Sequence, residues 1–171
     1  FNQSLPILAD DKSISNAYEY ANYTKLKNET IFSFIFFAKS INNFDDDVRI
    51  SKRIFIPSRK LRGFAAGKIG PKDSDDFIGG NYGTAMNLAA TLPNFMKDLE
   101  NIDFSLFLDT ANVWGVDYNS SLDSNKIRSS TGIAVDWFTP IGPLSFSLAS
   151  PITKSSTDET ETFRFRIGTT F

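Results

Sequence analysis

Apolar and polar residues alternate with a period of two along much of the chain. Four segments show this pattern clearly, at positions 102–109, 127–138, 144–153 and 162–171. In the first of them the even positions carry Ile, Phe, Leu and Leu, and the odd positions carry Asp, Ser, Phe and Asp. Because successive side chains of a strand point to opposite faces, each segment predicts a strand with one apolar and one polar face.

Four further segments predict strands with less regular faces. A weaker alternation covers 84–92, and the segment 30–41 is strongly apolar without two cleanly separated faces. Segments 18–27 and 3–9 complete a set of about eight strands. The four clear segments have 8 to 12 residues, and a tilted strand needs about 9–11 residues to cross a bilayer. The pattern therefore predicts an all-β, antiparallel fold whose strands are long enough to span a membrane.

The predicted connections alternate between short and long. Short links at 28–29, 93–101 and 139–143 are separated by polar segments at 42–80, 115–126 and 154–161. Outer-membrane barrels combine short periplasmic turns with long external loops. We therefore predict a transmembrane β-barrel in which 42–80 is one long external loop. Alternation does not show which face meets water, so a soluble sandwich or barrel with its apolar face inward remains an alternative.

Composition narrows the range of functions. The 171 residues include 17 Phe, yet 22% of the chain is charged and no apolar run is long enough for a membrane helix. The net charge of -2 argues against nucleic acid as a partner. Cysteine and histidine are absent, which excludes serine-histidine, cysteine-histidine and zinc-hydrolase chemistry. We expect no enzyme activity, no metal and no cofactor.

Six blocks of sequence occur in an order that is characteristic of one family. Three blocks belong to the long loop and its end: Leu-Arg-Gly-Phe at 61–64, Ile-Gly-Pro-Lys at 69–72 and Gly-Gly-Asn at 79–81. The other three blocks fall in the part of the chain that carries the later predicted strands, at 107–114, 131–147 and 163–171. The chain thereby resembles BamA-like proteins of the bacterial surface antigen superfamily. These are central subunits of the machine that folds β-barrels into the bacterial outer membrane.

The resemblance implies a fold, a location and a set of partners. BamA-like barrels have sixteen strands and follow periplasmic domains, so residues 1–171 resemble the C-terminal half of such a barrel. We expect a longer protein in the outer membrane, with the N-terminal half of the barrel and the periplasmic domains lying outside this chain. Its implied function is to assemble and insert barrel proteins by templating client strands at a weak lateral seam. The other implied partners are lipoprotein subunits, unfolded outer-membrane clients and the lipid bilayer.

The resemblance also implies an ion pair inside the barrel. Arg62, followed by Gly63 and Phe64, matches the loop motif that folds into the lumen in this family, and Asp109 matches an acid of the wall. The planar guanidinium can bind a carboxylate through two hydrogen bonds. A second acid common in the family is replaced here by Ala89. The partner of Arg62 is therefore Asp109 alone, or one of two other acids with inward-facing positions, Asp103 and Asp136.

Two further sets of residues take roles from the resemblance. Three glycines are expected to form tight turns of the long loop: Gly70, Gly79 and Gly80. The final strand, 162–171, resembles the signal that marks outer-membrane proteins for assembly, with alternating large apolar residues at Phe163, Phe165, Ile167 and Phe171. The same residues also fit the lipid-facing side of an ordinary last strand.

Other classes of outer-membrane protein remain as alternatives. They are a secretion pore of the same superfamily and an eight-stranded barrel that is an enzyme or a binding protein. In an enzyme, Asp73, Asp75 and Asp76 could serve as carboxylate catalysts or as a calcium loop, although their spacing does not match a known calcium loop. Half a barrel would leave two unpaired edges. We therefore expect the isolated chain to pair with a second copy or to fail to insert.

Overall fold

Eight strands form one antiparallel sheet in a computed structural model of the chain. The structure describes residues 2–4, 13–93, 101–123, 126–140 and 142–168. The strands of the sheet follow one another in chain order. A separate small hairpin is inserted in the chain between the third and fourth strands of the sheet, which are direct neighbours. The strands of the sheet are β1 (Asn2–Ser4), β2 (Ser13–Lys25), β3 (Ile31–Asn43), β6 (Tyr82–Thr91), β7 (Ile102–Trp114), β8 (Arg128–Thr139), β9 (Gly142–Thr153) and β10 (Phe163–Ile167). The predicted all-β, antiparallel fold is confirmed.

Short elements complete the structure. The hairpin pairs β4 (Lys72–Asp73) with β5 (Asp76–Phe77). One-turn 3-10 helices lie at Lys27–Glu29, Ile50–Lys52 and Ser120–Leu122. No helix in the described part of the chain is long and apolar enough to cross a membrane. Within the described ranges the sheet is open, because β1 pairs only with β2 and β10 pairs only with β9.

The two faces of the sheet have opposite chemistry. On β7 the side chains of Leu106 and Leu108 are exposed, whereas the alternate residues Phe107 and Asp109 are buried. Large apolar side chains lie exposed on the outer face of several strands, at Tyr18, Tyr20, Ile133, Trp137, Leu148, Phe163 and Phe165. A sheet whose large apolar side chains lie exposed on the outer face has the arrangement of a barrel in lipid. A soluble barrel would require the reverse.

The phenylalanines of β3 explain why its faces were not separable from sequence. Phe36 and Phe34 lie on the outer side, each with a β2 tyrosine ring whose centroid is 6.2 Å away. Phe37 lies on the inner side, where it packs against a buried cluster of the long loop. The strand is therefore apolar on both faces, because one face meets lipid and the other meets the loop.

The predicted last strand, 162–171, is described only as far as residue 168. Within that part, β10 covers Phe163–Ile167, and Ile167 pairs with Leu144. The next residue on β9 is Pro143, which has no N–H to donate, so only Gly168 N donates to Pro143 O, at 3.1 Å. Residues 169–171 lie outside the described residues, and Phe171 among them.

The long connection between β3 and β6 folds back over the inner face of the sheet. It runs from residue 44 to 81, since β3 extends to Asn43, one to two residues beyond the predicted start of the loop. A bridge between Ile54 and Gly80 joins two parts of this loop shortly before β6 begins. A buried cluster joins loop residues to inner residues of β6 and β7: Ile56, Leu61, Phe64, Ile69, Ala85, Ala111 and Val113. Loop side chains thus pack against the inner face of the sheet.

Candidate functional site

The Arg62 side chain of the long loop meets a buried carboxylate of β7. Its Nε donates to Asp109 Oδ2 at 2.7 Å, and its Nη2 donates to Asp109 Oδ1 at 2.7 Å. The backbone N–H of Arg62 also donates to Asp109 Oδ2, at 3.0 Å. Two parallel charged hydrogen bonds of this kind fix both position and orientation. The Asp109 side chain is 0% exposed and that of Arg62 is 16% exposed, so water competes little for the pair.

Asn87 on β6 completes the environment of this carboxylate. Its Nδ2 donates to Asp109 Oδ1 at 2.9 Å and to the backbone oxygen of Lys60 at 2.7 Å. Asn87 stands directly opposite Asp109 in the β6–β7 register. The amide therefore links wall and loop at the same point, which keeps the buried carboxylate fully hydrogen-bonded. The sequence pattern placed Asn87 on the polar face of its strand but gave no reason to single it out.

The other two candidate acids lie elsewhere on the inner wall. Asp103 and Asp136 stand opposite each other in the β7–β8 register, and Asp136 accepts a hydrogen bond from Ser145. No hydrogen bond or ion pair joins either of them to Arg62 in the described part of the chain. The structure thus places Arg62 on Asp109.

The ring of Phe107 forms the floor below the guanidinium. The Arg62 Cζ atom lies 3.4 Å from the centroid of this ring, which is a close cation–π contact. Ala89 stands opposite Phe107 in the β6–β7 register and packs against the same buried cluster. An aromatic side chain on the polar face of β7 is therefore accounted for by the loop arginine that covers it.

Gly63 and Phe64 set the path of the loop after Arg62. Gly63 has a φ of +86°, and an added Cβ would lie 3.0 Å from the Cβ of Ser130 and 3.2 Å from that of Ala149. A side chain here would be strained in backbone and in space. Phe64 is 1% exposed within the buried cluster of loop and wall. Ser130 also donates a hydrogen bond to the Arg62 carbonyl, so β8 contacts the loop at the same turn.

The three turn glycines lie at close approaches, two between the loop and β7 and one within the loop. At Gly70, with a φ of +99°, an added Cβ would lie 2.2 Å from Val113 Cγ1. Gly80 comes so close to β7 that a Cβ would lie 2.3 Å from the backbone oxygen of Trp114, and at Gly79 it would lie 2.7 Å from that of Ile54. In the observed conformation these positions leave no room for a side chain.

A second buried ion pair lies near the external end of the sheet. Arg128, the first residue of β8, donates from Nε and Nη2 to the two carboxylate oxygens of Asp158, each at 2.9 Å, and both side chains are 0% exposed. Its Nη1 donates to Asn112 Oδ1 at 2.7 Å and to the Lys126 backbone oxygen at 2.8 Å. Sequence reasoning placed Arg128 on a polar face and missed Asp158, because the two residues are far apart in the chain.

The large apolar residues of β10 point away from the interior. Phe163, Phe165 and Ile167 are all exposed, and Ile167 is 70% exposed. The rings of Phe165 and Phe146 stack with centroids 4.8 Å apart. These residues therefore present an apolar surface at the edge of the sheet.

The acidic segment of the loop forms the β4–β5 hairpin outside the wall. Asp73 accepts a hydrogen bond from the hydroxyl of Tyr118, at 2.8 Å. This hydrogen bond, with a smaller effect of desolvation, raises the pKa of Tyr118, although nearby Arg53 opposes the shift. Among the residues that the structure describes, no group of three or more acids is arranged to hold a metal ion. The carboxylates at Asp75 and Asp76 are not brought into such a group.

Comparison with known proteins decides the family. The model of the Omp85 superfamily domain matches residues 1–171. The chain belongs to the Omp85 superfamily. Two curated proteins named outer membrane protein assembly factor BamA are similar to this Omp85 chain. The one from Neisseria meningitidis is 33% identical over 140 residues, and the one from Neorickettsia risticii is 28% identical over 128 residues. These alignments cover 65% and 72% of the Omp85 chain, respectively.

A solved structure supports the same assignment. The crystal structure of BamA from Haemophilus ducreyi lacking POTRA domains 1–3 matches with a TM-score of 0.82 and 33% identity, over 91% of this chain and 35% of that chain. The alignments cover only 17% of each of the two curated relatives. The fold is therefore that of a partial outer-membrane β-barrel, and the Omp85 chain is a bacterial outer-membrane protein.

Proposed function

We propose that this chain is the C-terminal half of a barrel that assembles and inserts other β-barrel proteins into the outer membrane. In this proposal residues 162–171 are its signal strand. The observation that carries the proposal is the edge at β10. This strand has five residues beside the twelve residues of β9, and in the described ranges its other side has no neighbour. An edge strand with one side unpaired in the described residues is suited to accept a strand from another chain.

The mechanism needs backbone groups rather than catalytic side chains. An incoming client strand would pair with the free N–H and C=O groups of the edge, which is strand addition. These groups are costly to leave unpaired in lipid, so pairing them with a client is favoured there. This process requires no nucleophile and no metal, which agrees with a chain that lacks cysteine and histidine.

The long loop supports the proposal because it is bonded to several strands of the wall. Arg62 joins the loop to β7 through Asp109, and Lys60 forms an ion pair with Glu19 on β2. Ser130 joins the loop to β8. The loop therefore contacts strands on both sides of the sheet centre, and we propose that the Arg62–Asp109 pair fixes it in the lumen. The remaining strands of the barrel, periplasmic domains and lipoprotein subunits would be partners of the complete protein.

The test uses the full-length protein reconstituted in liposomes. An unfolded client barrel is added, and its folded fraction is measured by its heat-dependent migration in gels. We expect faster folding than with empty liposomes, and loss of this gain when an engineered disulfide closes the seam beside β10. Folding at the rate of empty liposomes, or a gain that the disulfide leaves intact, would contradict the proposal. Transport of the client across the bilayer would favour a secretion pore of the same superfamily.

A further inference from the structure

Arg164 lies on the inner side of β10 and contacts the long loop. Its Nη1 donates to the backbone oxygen of Ser58 at 2.6 Å, and its Nη2 donates to that of Phe64 at 2.5 Å. Glu161, three residues earlier, accepts from the same guanidinium and so orients it. The Arg164 side chain is 11% exposed. A residue of the edge strand thus binds two loop carbonyls, one before and one after Arg62.

The backbone of the loop is paired to the segment just before β10. Phe64 forms a bridge with Thr160. The N–H of Ala65 donates to Glu159 O at 2.9 Å, and the N–H of Glu159 donates to Lys68 O at 3.1 Å. Each of these bonds connects the loop to a segment that leads directly into the edge strand. The loop is therefore attached to β10 as well as to the wall strands β7 and β8.

We infer that Arg164 is a positioning residue that couples the edge strand to the long loop, so that the two move as one unit. In the described residues β10 is bonded to a single neighbouring strand, and its pairing alone would leave it prone to local opening. The Arg164 contacts add charged hydrogen bonds from β10 to a loop that Asp109 holds on β7, three strands away in the sheet. Opening of the edge then requires release of the loop, or loss of the Arg164 contacts. A role for this opening in client assembly rests on the proposed function.

The strand carries a matched control at Arg166. This arginine is also inward-facing on β10, two residues further along, and lines an open cavity of about 390 Å³ together with Arg59 and Asp136. It makes no hydrogen bond or ion pair with the described residues. Arg164→Gln and Arg166→Gln therefore remove the same charge from the same strand and face, but only the first removes contacts to the loop.

The test is hydrogen exchange on the full-length protein in detergent or liposomes. We expect Arg164→Gln to speed exchange at least about tenfold at the amides of Ala65, Glu159 and Glu161, because each loses the support of charged hydrogen bonds. Arg164→Lys should give an intermediate change, since an ammonium lacks the planar fork that reaches both carbonyls. We expect Arg166→Gln to change exchange at the same amides less than about twofold.

Two results would overturn the inference. One is faster exchange confined to β10, with the loop amide of Ala65 unchanged, since Arg164 would then act only on its own strand. The other is an equal effect of Arg164→Gln and Arg166→Gln on exchange at these amides. The cause would then be the loss of a positive charge from the strand and not the loss of contacts to the loop. The coupling is tested by hydrogen exchange without a client, whereas the proposed function is tested by the folding rate of an added client. Failure of the coupling and failure of the assembly function are therefore separate results.

Discussion

Removal of the Asp109 carboxylate is expected to break the contact between the long loop and β7. In Asp109→Ala, the Arg62 guanidinium loses two hydrogen bonds of 2.7 Å and the Asn87 amide loses one of 2.9 Å. The guanidinium is left only 16% exposed, so water replaces these bonds incompletely. Breaking a buried ion pair in this way costs about 3–5 kcal/mol of unfolding free energy. A single lost neutral hydrogen bond would cost only about 1 kcal/mol.

A double-mutant cycle separates the pair from the general cost of truncation. We expect Asp109→Ala and Arg62→Ala to be coupled by about 2–3 kcal/mol, since both remove the same contact. The assay is urea unfolding of the refolded full-length barrel in detergent, followed by tryptophan fluorescence. Asp103→Ala is the matched control, because Asp103 lies on the same face of β7 without a bond to the loop in the described residues. A coupling below about 0.5 kcal/mol would refute the reasoning.

Three further perturbations address other parts of the structure. Gly63→Ala places a Cβ 3.0 Å from the nearest wall atom at a φ of +86°. We therefore expect a loss of about 1–3 kcal/mol of unfolding free energy, measured by the same urea unfolding. An unchanged unfolding free energy would contradict the close packing. Asp158→Ala leaves the Arg128 side chain charged and 0% exposed. We expect a loss of about 3–5 kcal/mol of unfolding free energy, seen in gel migration as unfolding at a lower temperature. An unchanged unfolding temperature would exclude a structural role for this ion pair. The raised pKa of Tyr118 predicts that its bond to Asp73 stabilises the loop below the ordinary tyrosine pKa and is lost as pH rises through the raised value. Phenolate absorbance compared with Tyr118→Phe measures this, and titration at or below the ordinary value would contradict it.

The strand pattern of this chain is readable from sequence because one face meets lipid. Apolar residues such as Leu106 and Ile133 occur at every second position of their strands, and this alternation is a local property of each strand. It identified β7, β8 and β9 and their outward faces. The repeat does not show that Pro143 of β9, which has no N–H to donate, accepts a hydrogen bond from Gly168 beyond Ile167.

The contacts inside the barrel were only partly predictable. The resemblance to a known family directed attention to Arg62 and Asp109, but alternation alone gives the face of a residue and never its partner. The bonds of Arg128 to Asp158 and of Arg164 to the loop join residues that are distant in sequence. They depend on the path of a loop that has no periodic pattern. Such non-local polar pairs require the structure.

Strand addition at the β10 edge is the claim on which the proposed function depends most. This chain contains no cysteine, so a single introduced thiol is unique within it. Thiols at Phe165 or Ile167 on β10, and at Leu106 in the middle of the sheet as the control, are tested for disulfide formation with a thiol on the last strand of a client during assembly in liposomes. We expect adducts at the two β10 positions and none at Leu106. Adducts of equal yield at all three positions, or no adduct at β10, would contradict strand addition at this edge.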